Sequence, residues 1–235
     1  MNLYFLVEGR RTEPKVYRNW LTYLLPNLTE VDGFSEVCRE NYFLRGARRR
    51  SPSFQKRLKA SILEVNQSAY DYLIVCIDAE ERTVEETRQG IMQIVVELGE
   101  SGIKLKDQAY FEIVVQNKCI ETWFLGNRRI LSRNPHNQEL CEYIRYFNVA
   151  VNDPELMTRP ANDDRFRTDA QFHLDYLKKI FGERNQSYSK THPRHVTEAY
   201  YLEQLQDRIQ ETDHLNSFRY LCDLCERINH APASA

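Results

Sequence analysis

Three absences narrow the class of this chain before any motif is read. No apolar run approaches the ~20 residues of a membrane span, which excludes a helical membrane protein. No Gly-x-x-x-x-Gly-Lys-Ser/Thr occurs, so the chain carries no phosphate loop of its own for ATP. Cys222-Asp223-Leu224-Cys225 has no second Cys-x-x-Cys to complete it, and it falls inside a helical pattern. That argues against zinc despite His214 and His230 nearby. Repeats and low-complexity tracts are also missing. The first residues read as a strand rather than a cleavable signal, and the six cysteines are scattered at 38, 76, 119, 141, 222 and 225. A reduced, cytoplasmic protein is the expectation. The formal net charge of −2 excludes little, because nucleic-acid binding needs a local basic face rather than a basic total.

What is present is enough chain, at 235 residues, to bury a substantial core. Two short apolar runs, Asn2-Leu3-Tyr4-Phe5-Leu6-Val7 and Tyr72-Leu73-Ile74-Val75-Cys76-Ile77, read as buried strands. Helical spacing predicts helices over 12–25, with Thr12 able to cap and Pro14 early, over 54–65 and over 84–99. A second extended segment is expected within 35–44, and a further strand at 109–115. This alternation predicts an α/β fold, a parallel-rich sheet flanked by helices. Beyond Ile120 the strand signal fades. Helices are expected over 121–131, 169–181 and 196–229, with 148–168 a loop. The expected organisation is a core at 1–127 and a mainly helical extension at 128–235.

Both strands run into carboxylates. The first meets Glu8-Gly9 and the second meets Asp78-Ala79-Glu80. If the strands are neighbours, three acids converge where open parallel sheets bind ligands. Such a cluster needs a cation or raised pKa values, and its hard oxygens suit Mg²⁺ or Mn²⁺. The plainer reading is that each acid only favours the start of the following helix. Glu13, five residues after Glu8, carries the same two readings. Asn117-Lys118-Cys119-Ile120-Glu121-Thr122-Trp123-Phe124-Leu125 follows the last strand directly, which would bring Asn117 or Glu121 to the same sheet edge. Trp123 and Phe124 are expected to pack in the core.

Arg45, Arg48, Arg49, Arg50, Lys56, Arg57 and Lys59 form a one-signed run. It reads as a phosphate-binding patch or as solvated surface. Tyr188-Ser189-Lys190 and the cationic stretch behind it add Lys190 as a charge that could neutralise a phosphoryl transition state.

Together these residues resemble the Toprim superfamily, whose members pair a strand-end glutamate with an Asp-x-Asp at a later strand end. A closer resemblance is to the RloB-type and AriB-type Toprim proteins of phage-defence loci. Leu6-Val7-Glu8-Gly9-Arg10-Arg11-Thr12-Glu13 looks like their Glu-Gly-x-x-Thr-Glu opening. The segment from Asn117 to Leu125 is similar to their Asn-x-Cys-Phe-Glu-x-Trp, and Tyr188-Ser189-Lys190 resembles a later Tyr-x-Lys. The resemblance implies a Mg²⁺-dependent (or Mn²⁺-dependent) nuclease acting on DNA or transfer RNA, beside a separately encoded ABC/AAA-type ATPase that senses infection. Glu8 would be general acid/base or metal ligand, Asp78 and Glu80 metal ligands, and Glu121 and Lys190 supporting residues. Glu80 stands where the family has aspartate, one methylene shorter. The resemblance does not reach past residue 195, and a homodimer is left open. The rival expectations are a non-cleaving docking module of such a system and a metal-dependent phosphotransferase or phosphatase acting on a small nucleotide.

Overall fold

The computed structural model describes residues 1–47 and 53–231, so Arg48, Arg49 and Arg50 of the basic run lie outside the described residues. The fold is α/β, as expected. β1 (Asn2–Val7), β2 (Thr29–Glu30), β3 (Asn41–Arg45), β4 (Tyr72–Asp78) and β5 (Tyr110–Gln116) form one all-parallel sheet in the order β2-β3-β1-β4-β5. β1 is central and buried along its whole length, which is why it reads as a continuous apolar run. It pairs with β3 on one side, Leu6 opposite Arg45, and with β4 on the other, Val7 opposite Cys76. From β1 the chain continues toward β3, whereas from β4 it continues toward β5. The connections therefore part between two neighbouring strands.

The chain divides into two compact units. One comprises residues 1–77, 84–115 and the chain from Asp223 onward; the other comprises 78–83 and 116–222. The expectation was a single boundary near 127.

In the first unit, α1 (Thr12–Leu24), α2 (Phe54–Gln67) and α3 (Val84–Glu100) connect the strands. Thr12 is the first helical residue of α1 rather than its cap; the cap position is Arg11. Leu58, Ile62 and Val65 of α2 are buried as their spacing predicts. On α3 Ile91 and Leu98 are buried, with Ile94 and Val95 partly covered. Tyr4 shows how the buried strand accommodates a polar tip. Its hydroxyl donates to Glu64 Oε2 at 2.6 Å and accepts from Ser61 at 3.2 Å. Burial and Glu64 push that phenol well above its ordinary pKa.

The second unit contains α4 (Ile120–Phe124), α5 (Gln138–Tyr146), α6 (Asp169–Glu183), α7 (Ala199–Glu211) and the start of α8 (Asn216–His230). The helix expected over 121–131 stops at Phe124. The chain folds tightly at Gly126, where a Cβ would stand 2.3 Å from Leu215 and 2.7 Å from the Trp123 carbonyl. The Asn127 side chain then caps a separate 3₁₀ turn, Arg128–Ile130. Helices expected over 196–229 are α7 and α8, and Leu215 in the left-handed region (φ 54°) marks their break. The loop over 148–168 is internally anchored rather than loose. Arg208, fully buried, donates to the carbonyls of Gly126, Val149 and Asn152 at 2.9, 2.8 and 2.7 Å. Among the described residues no helix is long and apolar enough to cross a membrane.

Candidate acidic strand-end site

The exit of β1 lies in the first unit and is built around one close backbone approach. The Glu8 amide continues the ladder, donating to the Cys76 carbonyl at 3.0 Å, and the Ala47 amide after β3 donates to the Gly9 carbonyl at 3.0 Å. The Glu13 carboxylate folds back over Gly9, where an added Cβ would lie 1.9 Å from Glu13 Oε2. Glycine here leaves room for that carboxylate, so Glu13 stands one residue from Glu8. Both acids are half-buried.

Arg57 completes this corner. Only 8% exposed, it donates Nη1 to the last β1 carbonyl, Val7, at 3.1 Å. Burial pushes its guanidinium pKa down from the ordinary value, and the negative charge of Glu8 offsets part of that. Arg45 turns to Glu64, contacting both carboxylate oxygens at 2.5 Å. Of the basic run, Lys56 and Lys59 are exposed. The sequence read seven like charges; the fold uses Arg45 and Arg57 internally.

The second unit holds the other acids. After β4 the Ala79 amide donates to the Gln116 carbonyl (2.9 Å) and the Glu80 amide to the Lys118 carbonyl (2.8 Å). These two bonds lace the Asp78-Ala79-Glu80 turn to the start of the Asn117–Leu125 segment. Glu80 and Lys118 both adopt positive φ, 54° and 63°, which costs a residue with a side chain roughly 1–2 kcal/mol. Asp78 is half-buried and Glu80 exposed.

Each polar member of the 117–123 segment has a distant partner. Asn117 Nδ2 reaches Glu155 at 3.4 Å. Lys118 Nζ pairs with Asp169 Oδ2 at 2.5 Å, the two side chains only 15% and 11% exposed. Burial pushes Asp169 up, but Lys118 and the Arg159 amide outweigh it and hold its carboxyl below the usual range. Thr122 Oγ1 lies 2.8 Å from His173 Nδ1, and His173 Nε2 lies 3.0 Å from the Met157 carbonyl. A carbonyl only accepts, so Nε2 carries the proton and Nδ1 accepts from Thr122. Burial depresses this imidazole to about 4. Trp123 is fully buried, as expected, and its Nε1 donates to Ser217 at 2.7 Å.

Glu121 is wholly buried. Its Oε1 accepts from the Tyr188 hydroxyl at 3.0 Å and lies 3.6 Å from Lys190 Nζ. Among the described residues its Oε2 has no hydrogen-bond donor, an uncommon state for a buried carboxylate oxygen. The Lys190 side chain is 49% exposed, so Tyr188 and Lys190 do meet Glu121. Burial, then Glu121 and Asp78, push the Cys119 thiol well above its ordinary pKa, which leaves it protonated and inert.

Sequence reasoning missed Glu155, Asp169, His173 and Ser217. Thr168-Asp169 reads only as a helix start, and nothing in the sequence links any of the four to the 117–123 segment.

By donor chemistry Glu8, Asp78 and Glu80 suit a hard divalent cation. Among the described residues no three His, Cys, Asp or Glu side chains stand together in a metal-holding arrangement. The fit therefore rests on donor type and strand order. No family model matches the chain, and neither the curated proteins nor the solved structures include a significant match.

Proposed function

We propose that this protein is a divalent-metal-dependent nuclease of the Toprim kind, cleaving phosphodiester bonds in DNA or transfer RNA. The observation that carries the reading is the order of the sheet. The connections leaving β1 and β4 part between those adjacent strands, and open parallel sheets bind ligands beyond the carboxyl ends at such a parting. Glu8 directly follows β1 and Asp78 ends β4.

In this reading Glu8, Asp78 and Glu80 would hold Mg²⁺ or Mn²⁺, which when bound polarises the phosphodiester and makes water a better nucleophile. Glu8 would also move a proton to or from the attacking or leaving oxygen. Arg57, anchored on the Val7 carbonyl, sets a positive charge in the field of Glu8. Lys190, half exposed beside Glu121, would offset negative charge on phosphate. Lys56 and Lys59 would hold the backbone together with Arg48, Arg49 and Arg50. The likeness to phage-defence Toprim proteins supports a separately encoded ATPase as the partner that controls this activity.

The test is cleavage of plasmid DNA and total transfer RNA by the purified chain, with and without Mg²⁺ or Mn²⁺, beside Glu8→Ala and Asp78→Asn. Metal-dependent cleavage that falls roughly 10²–10⁴-fold in Glu8→Ala supports the assignment. Cleavage indifferent to both substitutions sinks it. Silence with either metal favours a docking module of the ATPase.

A further inference from the structure

The second unit holds a cavity of about 1150 Å³ that takes no part in the site above. One wall is the segment after α4, which carries Arg128, Arg129 and Arg133; Arg184 enters from the end of α6 and Asp207 from α7. Its size exceeds the ~300–1,000 Å³ typical of a small-ligand pocket.

Four arginines face three acids, Glu183, Asp207 and Glu211, across this cavity, and two of the acids already have partners. Glu183 accepts the backbone amides of His136 and Asn137 at 2.6 and 3.0 Å. Glu211 is paired with Arg128. Arg184 is fixed by its own donors, Nε to the Ile130 carbonyl at 2.7 Å and Nη2 to the Arg129 carbonyl at 2.5 Å. Arg129 and Arg133 are exposed and make no side-chain hydrogen bond or ion pair among the described residues. Two guanidinium groups, with no internal duty, thus stand at a cavity beside a third that is pre-oriented. Guanidinium is the side chain best matched to phosphate oxygens. Leu131 and Ile144 supply apolar wall, as a base needs. Asp207 is bonded through one oxygen to Gln204 at 3.0 Å, leaving the other to accept an exocyclic amino group.

We propose that this cavity binds nucleotide units, with phosphates on Arg129, Arg133 and Arg184, a base against Leu131 and Ile144, and a base amino group on Asp207. The phosphate chemistry stands on the cavity alone; its use as a strand-holding site of the nuclease rests on the functional reading above. The nucleotides are either part of a single strand or a free nucleotide, and the two sources share this chemistry.

The experiment is fluorescence anisotropy of labelled ten-nucleotide single-stranded DNA and RNA, titrated with the full chain in EDTA so that cleavage plays no part. Wild type, Arg39→Ala (an exposed arginine outside the cavity) and the double variant Arg129→Ala/Arg133→Ala are compared, with unlabelled ATP as competitor. Wild type and Arg39→Ala should bind alike. The double variant should bind roughly tenfold or more weakly, with a log–log salt slope shallower by about 1.4 for two lost phosphate contacts, at an unchanged melting temperature. Competition by ATP assigns a free nucleotide; failure to compete assigns a strand. Equal affinity of the double variant, or no binding of the oligonucleotides by wild type, overturns the proposal. Binding here, with silence in the metal-dependent cleavage assay, would count against the nuclease reading alone.

Discussion

The exit of β1 and the segment that leaves β5 solve the same problem in opposite ways. Each must turn a buried parallel strand into a polar loop. At β1 the backbone does it: Gly9 lets Glu13 lie against the main chain, and Arg57 caps the last carbonyl. Past β5 side chains do it, since Asn117, Lys118, Thr122 and Trp123 each anchor on a residue 38 to 94 positions away. The first device tolerates adjustment of one flexible side chain. The second distributes its polar groups among buried partners, so losing any one strands another.

That contrast predicts where substitutions hurt most. Lys118→Met should cost roughly 3 kcal/mol or more, because it leaves the Asp169 carboxylate nearly buried without its counter-charge. Adding Asp169→Asn should return at least half of that in urea melts. An additive double variant would show that the pair is not coupled.

Next comes the pH dependence of the same unit. His173 is depressed to about 4 from 6.5 by burial. Above pH 6.5 it is neutral folded or unfolded and costs nothing. As pH falls from 6.5 to 4 only the unfolded chain gains the proton, so stability drops by roughly 3 kcal/mol across that window. His173→Gln should flatten this part of the profile, measured as unfolding free energy at pH 7 and pH 4.5. An unchanged slope would place the acid sensitivity elsewhere.

Glu80→Gly tests strain against function. Relief of the positive φ should raise stability by up to about 1 kcal/mol, while metal-dependent cleavage is lost if Glu80 is a ligand. Gain of stability with activity intact would remove Glu80 from the metal set. Smallest is Gly9→Ala at the β1 exit. The atoms nearest the intruding methyl are the far end of Glu13, so the stability cost should stay below about 1 kcal/mol. Pairing it with Glu13→Ala should abolish even that. A cost of several kcal/mol would mean that the backbone, not the side chain, has to move.

Much of the fold was legible because burial writes itself into periodicity. The runs 2–7 and 72–77 and the phases of α1 and α2 follow from apolar spacing alone. α5 escaped because it is short, Gln138–Tyr146, with only Leu140 and Tyr143 buried. The expected helix over 121–131 failed at Gly126, where packing against Leu215 rather than local propensity ends it. The basic run illustrates the same limit of local reading. Arg45 and Arg57 carry the same charge as Lys56 and Lys59, yet only position in the fold turns the first two toward Glu64 and Val7.

The amino-acid order was sufficient to specify the parallel α/β class, the acids at the ends of two strands and the polar segment after a third. These depend on residues close in sequence, where period and propensity act. Strand order is different: that β4 lies beside β1, with the connections parting between them, depends on which elements bury each other's faces. The partners of the 117–123 segment are likewise set by packing, because they come from loops and helices far along the chain. Local sequence carries no trace of them, since a buried Lys118 needs an acid, and only the folded chain decides that it is Asp169.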